Sequence, residues 1–167
     1  IVDAIHDLPA FNLVGVYNNA ALSTVPLSSY TAFTQNLTGT VTVAEIAPGT
    51  GDANPRNFAV MNGTLFFVAN DPVAASELFR SDGTVEGTLL VKDIRPGTAA
   101  SMPDTVEGTV ARDRVFFAAD DGVAGREVWK TDGTPGGTVL VKDIAPGSAA
   151  SNPTHLTTFG DRVFFLA

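Results

Sequence analysis

The sequence predicts an all-β protein built of repeated units of four short antiparallel strands. A turn of the form Ile-x-Pro-Gly occurs at residues 46–49, 94–97 and 144–147, so successive turns lie 48 and 50 residues apart. Repeats of this length are typical of propeller blades, solenoid units and arrays. The composition, with 16 Gly, 10 Pro and frequent Thr, Val and Phe, is that of strands and turns. No segment keeps a 3.6-residue period, so we expect no helix longer than a turn or two.

The first full unit, at about residues 57–94, contains four predicted strands. These lie at about residues 57–61, 64–70, 77–81 and 88–94. Asn62-Gly63 joins the first two, and such a pair supplies the positive φ angles of a tight hairpin turn. Asp82 and Gly83 turn the third strand toward the fourth, because Asp accepts hydrogen bonds from its own loop and Gly tolerates a left-handed conformation.

The other units vary around this pattern. The second full unit runs from about 104 to 144, and we expect its first hairpin to be longer by two residues, around Arg112-Asp113. A half unit follows at 154–167. Residues 1–39 form an N-terminal segment with a degenerate unit, which is common in terminal repeats because one of their faces has no neighbour.

The second strand of each unit favours one sheet architecture. The stretch Leu65-Phe66-Phe67-Val68-Ala69 is apolar on both faces, whereas a one-sided antiparallel sheet alternates. Strands buried on both faces arise where sheets are stacked on both sides, so we predict β-propeller-like four-stranded antiparallel blades. A β-solenoid or a β-sandwich is the alternative. The units do not close a ring, since propellers usually need about 4–8 blades, so we expect either further residues or another chain to complete it.

The charge and composition restrict the partners. Eighteen acidic and 10 basic residues give a formal charge of −8, which argues against binding to nucleic acid or to an anionic membrane surface. The chain has no Cys, which excludes disulfides and thiolate chemistry. No apolar run approaches the roughly 18 residues of a transmembrane helix. The first residue is Ile1 and not Met, so we expect that an upstream segment has been removed; a cleaved export signal fits, as does a partial sequence.

Carboxylates recur in register in both full units. Glu77 and Glu127 each precede an Asp-Gly pair, which is Asp82-Gly83 in the first unit and Asp132-Gly133 in the second. Paired carboxylates can serve as a general acid and a general base. An active site usually occurs once, however, whereas these residues repeat with the unit. We therefore interpret them as structural turn residues and predict no catalytic residue in the chain.

Two further features support a ligand hypothesis. Asp120 and Asp121 lie beside a glycine in the loop between the second and third strands of the second unit, and acidic loops of this kind bind calcium in many proteins. The loop lacks the alternating Asp-x-Asp-x-Asp ladder, which favours a plain surface turn. Trp129 offers an aromatic ring on which a sugar can stack, as do Tyr17 and Tyr30.

The recurring sequence motif resembles a known repeat. The strings Glu77-Leu78-Phe79-Arg80-Ser81-Asp82-Gly83-Thr84 and Glu127-Val128-Trp129-Lys130-Thr131-Asp132-Gly133-Thr134 resemble the ELWxxDGT repeat, and the Gly-Thr-x-Leu-Val-Lys-Asp-Ile-x-Pro-Gly text after each also matches. The resemblance covers about 40–167, and its first copy has Phe79 where Trp is usual. It implies an exported bacterial β-repeat protein that is secreted, periplasmic or at the cell surface. It brings no established activity and no catalytic residues.

On these grounds we expect a non-catalytic scaffold or interaction module that contacts other protein chains or copies of itself, without a cofactor. The first alternative is a carbohydrate-binding or calcium-dependent adhesion module. The second alternative is an enzyme with its site in the axial channel. Only His6 and His155 can supply an imidazole, and Ser151 offers a hydroxyl near His155, although residues 148–151 repeat residues 98–101 and are typical of a loop between blades.

Overall fold

The computed structural model describes residues 43–49, 51–101 and 109–167, and within them the chain is all-β. Its strands are β1 (Arg56–Met61), β2 (Thr64–Asp71), β3 (Ala75–Ser81), β4 (Leu89–Lys92), β5 (Thr109–Ala111), β6 (Arg114–Asp120), β7 (Arg126–Thr131), β8 (Val139–Lys142), β9 (Thr154–Phe159) and β10 (Arg162–Leu166). These ranges contain no helix long and apolar enough to cross a membrane. The degenerate unit predicted within 1–39, with Tyr17 and Tyr30, lies outside the described residues.

The strands form three antiparallel sheets, none of which closes on itself. Sheet 1 has the order β1-β2-β3-β4, sheet 2 has the order β5-β6-β7-β8, and sheet 3 contains β9 and β10. Sequential strands are neighbours throughout, which is the usual result of short connections. The four strands of sheet 1 begin and end within two residues of the predicted ranges.

The first hairpin turns follow local turn chemistry. Asn62-Gly63 is a two-residue turn with φ angles of 51° and 76°, as predicted. The prediction of a longer equivalent hairpin in sheet 2 is wrong. Arg112 and Asp113 also form a two-residue turn, and their φ angles are 48° and 54°. The two additional residues of this unit therefore precede β5, and the turn is unchanged.

Sheets 1 and 2 share one register. β2 pairs with β3 so that Phe67 lies opposite Phe79, and β6 pairs with β7 so that Phe117 lies opposite Trp129. In both sheets the ladder to the fourth strand shifts just before that third-strand aromatic residue. Equivalent residues therefore occupy equivalent positions in the two sheets. Differences in the exposure of their side chains then arise from the sheets that pack against them.

The main core lies between sheets 1 and 2. Sheet 1 and the loop after it contribute Met61, Phe66, Val68, Leu78, Val91 and Ile94, and sheet 2 contributes Val115, Phe117, Ala118, Ala119 and Trp129. Neighbouring residues on a strand point to opposite faces, yet Phe66 and Phe67 are only 1% and 0% exposed. β2 is thus buried on both faces, as its sequence predicts. Each such side chain contributes about 1.5–3 kcal/mol through the hydrophobic effect.

Polar contacts also join neighbouring sheets. Asn62 Nδ2 donates to Asp113 Oδ1 at 3.2 Å, which connects the first hairpin turns of sheets 1 and 2. Arg112 Nη2 reaches Asp161 Oδ2 at 3.0 Å, which connects the corresponding turns of sheets 2 and 3. Exposed pairs of this kind contribute under about 1 kcal/mol each, so they position the sheets more than they stabilise them.

Candidate functional site

The recurring glutamates anchor loops. Glu77, on β3, is fully buried, and its carboxylate accepts hydrogen bonds from the backbone N–H groups of Ile94 at 3.3 Å and Arg95 at 3.4 Å. The Ser101 hydroxyl donates to the same carboxylate. These donors belong to the loop after β4 and to the connection toward the next sheet. One carboxylate therefore anchors both the loop after β4 and Ser101 at the start of the connection.

Glu127 repeats this arrangement on β7. It is also fully buried and accepts from Ala145 N at 3.2 Å, from Ser151 N at 3.0 Å and from Ser151 Oγ at 2.6 Å. Because this hydroxyl donates to Glu127, it is not paired with His155, which is exposed and lies against Thr154 Oγ1. The serine and histidine considered for an enzyme therefore do not form a nucleophile and base pair in this structure.

The two glutamates differ in acidity although their sequence context is the same. Burial raises the pKa of Glu77 to about 7, and the charge of Asp93 adds to this effect. At Glu127 burial also acts to raise the pKa, but the hydrogen bonds from Ser151 and from the backbone of Ala145 outweigh it and lower the pKa. A buried carboxyl is protonated more easily when desolvation exceeds the gain from its hydrogen bonds.

The Asp-Gly-Thr segment builds a compact turn in each full unit. Asp132 Oδ1 accepts from Thr134 N at 2.9 Å and from Thr134 Oγ1 at 2.7 Å, and these bonds lower the pKa of Asp132. Thr134 Oγ1 in turn accepts from Gly137 N at 3.0 Å. Asp82, Thr84 and Gly87 make the same bonds in sheet 1. Asp82 and Asp132 therefore hold their own loops in shape.

Gly137 should be intolerant of any side chain, because a Cβ at this position would lie 2.0 Å from Asp132 Oδ1. We expect Gly137→Ala to lower the free energy of unfolding by about 1–3 kcal/mol, since the carboxylate must leave the turn. Gly136→Ala is the matched control, because an added Cβ there has no neighbour within 4 Å, and it should change stability by less than about 0.5 kcal/mol. Urea denaturation of the two variants measures both values, and equal losses would contradict this role of Gly137.

The calcium candidates are occupied by contacts within the protein. Asp120 accepts from Gly122 N through Oδ1 and forms an ion pair with Arg95 Nη1 at 2.7 Å through Oδ2. Asp121 Oδ1 accepts from the backbone N–H groups of Val123 and Ala124. No group of three or more His, Asp or Glu side chains suited to a metal occurs in the described ranges. These contacts account for the acidic loop as a turn, and a calcium role remains a prediction.

Trp129 packs inside the molecule and does not offer an open face for a ligand. Its side chain is 6% exposed and belongs to the core between sheets 1 and 2. Lys92 Nζ lies 5.8 Å from the centre of the ring and donates to the carbonyl oxygen of Thr138 at 2.9 Å. The ring therefore couples β4 of one sheet to β7 of the next, in a cation–π geometry.

A small depression beside the Asp82 turn has a volume of about 120 Å³ and is lined by Thr64, Arg80, Asp82 and Gly87. Pockets for small molecules usually measure about 300–1,000 Å³ and are mostly apolar. This depression is therefore too small and too polar to favour a small-molecule site.

An exposed apolar surface on sheet 3 is the main feature that the sequence analysis missed. Phe159, Phe164 and Leu166 are 76%, 54% and 64% exposed; we call these three residues the sheet 3 face. The centres of the two phenyl rings lie 6.3 Å apart in an edge-to-face arrangement. At the equivalent positions of sheet 1, Met61, Phe66 and Val68 are buried. The sequence shows that Phe164 belongs to the recurring Phe-Phe pair. The pair alone does not show whether another sheet covers it.

Ser101 and Ser151 were also overlooked as functional partners of the glutamates. They follow Glu77 and Glu127 by the same 24 residues, a constant spacing that the sequence displays.

Comparison with known proteins finds no relative of this chain. No protein-family model, curated protein or solved structure matches this chain.

Proposed function

We propose that this protein is a non-catalytic interaction module, a β-repeat scaffold that binds another protein chain, including a copy of itself, through the sheet 3 face. The observation that carries this proposal is the exposure of Phe159, Phe164 and Leu166. A contiguous apolar surface rimmed by polar residues is characteristic of a protein interaction site. Phe rings supply much of the buried area of such interfaces.

The internal packing of the chain supports this proposal. The first sheet uses the same positions, occupied by Met61, Phe66 and Val68, to pack against sheet 2. The sheet 3 face therefore has the residue types and spacing of a surface that already forms a sheet-on-sheet interface in this molecule. Its partner is accordingly an apolar protein surface of similar shape, and not a nucleic acid, since the formal charge is −8.

The proposed architecture is a stack of propeller-like blades. Two four-stranded sheets of identical strand order packed face to face, with a third sheet following, support this arrangement. The resemblance of residues 77–84 and 127–134 to the ELWxxDGT repeat supports placing the protein outside the cytoplasm, secreted, periplasmic or at the cell surface. The buried ring of Trp129 and the occupied carboxylates of Asp120 and Asp121 do not favour the adhesion alternative.

Self-association through this face is the testable outcome. We expect sedimentation velocity to detect a concentration-dependent dimer or larger species, and Phe164→Asp to shift the protein to monomer, because a charge in an apolar interface must be desolvated. Val73→Asp, in the turn between β2 and β3 at a position that is 78% exposed, is the control and should associate like the unmodified chain. A monomer at every concentration, or equal behaviour of the two variants, would disprove association through the sheet 3 face.

A further inference from the structure

The first hairpin turn of sheet 1 carries a reactive pair of residues. Asn62 and Gly63 form the whole turn between β1 and β2, and both are exposed. The backbone nitrogen of the residue that follows an asparagine can attack the side-chain amide carbon and close a succinimide ring. A side chain on that following residue hinders the attack, and Gly63 has none. The space where its Cβ would lie is also open, with nothing within 4 Å.

The other four asparagines of the described ranges lack this combination. Two of them precede a proline, whose nitrogen carries no hydrogen and therefore cannot form the ring. The remaining two are half-buried within strands and precede Phe and Asp, whose side chains crowd the attacking nitrogen. The first pair is Asn54 and Asn152, and the second pair is Asn57 and Asn70.

The position of the turn allows the rotation that ring closure needs. The turn holds Asn62 at a φ of 51°, and the nitrogen reaches the amide carbon only after rotation about the Cα–C bond. The turn is exposed and begins at the end of β1, which pairs only with β2 in the described sheet. Local opening at such an edge costs less free energy than global unfolding.

The amide of this asparagine makes a contact between sheets. Asn62 Nδ2 donates to Asp113 Oδ1 at 3.2 Å. The two arginines that flank Asp113 in sequence, Arg112 and Arg114, form their ion pairs with other aspartates. A carboxylate at position 62 would therefore replace the donor by a negative charge beside another negative charge, and like charges at this distance repel.

We propose that Asn62 is a site of spontaneous deamidation, and that the reaction changes its contact with Asp113 from attractive to repulsive. The Gly63 nitrogen first bonds to Asn62 Cγ, and the side-chain nitrogen leaves as ammonia with the hydrogen of the Gly63 amide. Water then opens the ring. Opening at Cγ gives aspartate, whereas opening at the main-chain carbonyl gives isoaspartate. Overall, one water is consumed and one ammonia is released, with no change in oxidation state.

Both products disturb the turn. Aspartate brings the like charge, and isoaspartate also lengthens the main chain by one carbon atom. A two-residue turn that pairs Met61 with Thr64 cannot take up this atom without a change of conformation. The corresponding contact between sheets 2 and 3 joins Arg112 to Asp161 and contains no amide. The reaction therefore affects the junction of sheets 1 and 2 alone among these two contacts.

Mass spectrometry of the aged chain tests the site. The tryptic peptide of residues 57–80 contains Asn57, Asn62 and Asn70, so two internal controls accompany the reactive residue. After incubation of the folded chain in mildly alkaline buffer, we expect deamidation at Asn62 to exceed that at either control at least about tenfold, because both controls lie in paired strands. Asn62→Gln is the control variant and should keep its amide, since glutamine closes the larger ring far more slowly.

A charge substitution tests the consequence. Asn62→Asp represents the aspartate product and should lower the urea midpoint at low salt, with a smaller loss at high salt because ions screen the repulsion. Asp113→Asn in the same chain should remove this loss. Asp161→Asn is the matched control and should not remove it, because Asp161 lies beside Arg112 and not beside position 62.

Two results would overturn the proposal. Deamidation is rejected if Asn62 in the folded chain reacts no faster than Asn57 and Asn70. The repulsive contact is rejected if Asn62→Asp leaves the midpoint unchanged, or if Asp113→Asn and Asp161→Asn have the same effect on its loss.

Discussion

Phe66→Ala should lower the free energy of unfolding by about 3–5 kcal/mol, the usual cost of emptying a buried phenylalanine position. Phe164→Ala, at the same position of the third copy, should cost less than about 1 kcal/mol. The two residues occupy equivalent positions, each followed by another Phe, but Phe66 is 1% exposed and Phe164 is 54% exposed. The pair therefore separates the effect of burial from the effect of residue type.

The large expected cost at Phe66 also reflects its contact across the sheets. A Cβ at Gly133 would lie 3.1 Å from Phe66 Cζ, which shows how closely the ring packs against the Asp-Gly-Thr turn of sheet 2. Removing the ring leaves a cavity at this junction, and the surrounding backbone cannot fill it completely. Since small domains have a total stability of about 5–15 kcal/mol, this one change removes a large part of it.

Guanidinium denaturation followed by circular dichroism measures both values. The midpoint should fall sharply for Phe66→Ala and stay nearly unchanged for Phe164→Ala, with similar slopes for both. Equal midpoints would mean that the sheet 1 to sheet 2 interface is not the main core of the molecule.

Glu77→Gln and Glu127→Gln should change the pH dependence of the free energy of unfolding in opposite directions. The folded pKa of Glu77 is raised from 4.5 to about 7 by burial and by Asp93. Below about pH 4.5 the carboxyl is protonated in both states. Between about pH 4.5 and about pH 7 only the unfolded form releases its proton, so the unmodified chain loses stability as pH rises, by on the order of 3 kcal/mol.

Glutamine at position 77 remains neutral throughout this range. It still offers an oxygen to the N–H groups of Ile94 and Arg95 and an NH₂ group to Ser101, whose hydroxyl oxygen can accept. The variant should therefore gain stability relative to the unmodified chain as pH rises from about 4.5 to about 7.

The equivalent change at Glu127 should have the opposite sign. Hydrogen bonds from Ser151 and the backbone lower its folded pKa despite its burial, so the ionised carboxylate stabilises the folded state. That stability is present above the unfolded pKa and is lost as pH falls through the folded pKa. Glu127→Gln should thus be destabilising at neutral pH, and the penalty should shrink in acid.

Urea unfolding of the unmodified chain and both variants, at intervals between about pH 4 and about pH 8, measures these slopes. The difference between each variant and the unmodified chain isolates one carboxyl, since all other titrating groups are shared. Parallel difference curves for the two variants would contradict the assignment of opposite pKa shifts.

The sequence predicted the local features of the fold well. The strands of sheet 1 and the Asn62-Gly63 turn follow from alternation and from residues that accept positive φ, which depend on near neighbours in the chain. The predicted length of the second hairpin is wrong because Arg112 and Asp113 are less typical of a two-residue turn than Asn-Gly, so the sequence does not show that the turn is kept. Turn residues predict a hairpin correctly where their preference for positive φ is strong, and they do not where that preference is weak.

Exposure could not be predicted in the same way. Phe66 and Phe164 lie in similar sequences. Phe66 is buried because another sheet covers it, whereas Phe164 is exposed because none does in the described structure. The ring of Trp129 looked available for a sugar for the same reason, because burial is a property of the assembled sheets and not of the strand. The partners of Glu77 and Glu127 required knowledge of loops 17 to 24 residues away.

The glutamate anchors take all their donors from residues that follow them in the chain. Sheet 1 is complete in sequence at Lys92, but the buried acid at its centre gains its hydroxyl partner only when Ser101 follows. Synthesis proceeds from the N-terminus, and domains generally fold as units in that order. Each unit would therefore be locked by the first residues of the connection to the next, over separations short enough for rapid folding. The donors to the Glu77 carboxylate all lie within 24 residues of it along the chain, so this anchor can form before the following sheet has been synthesised.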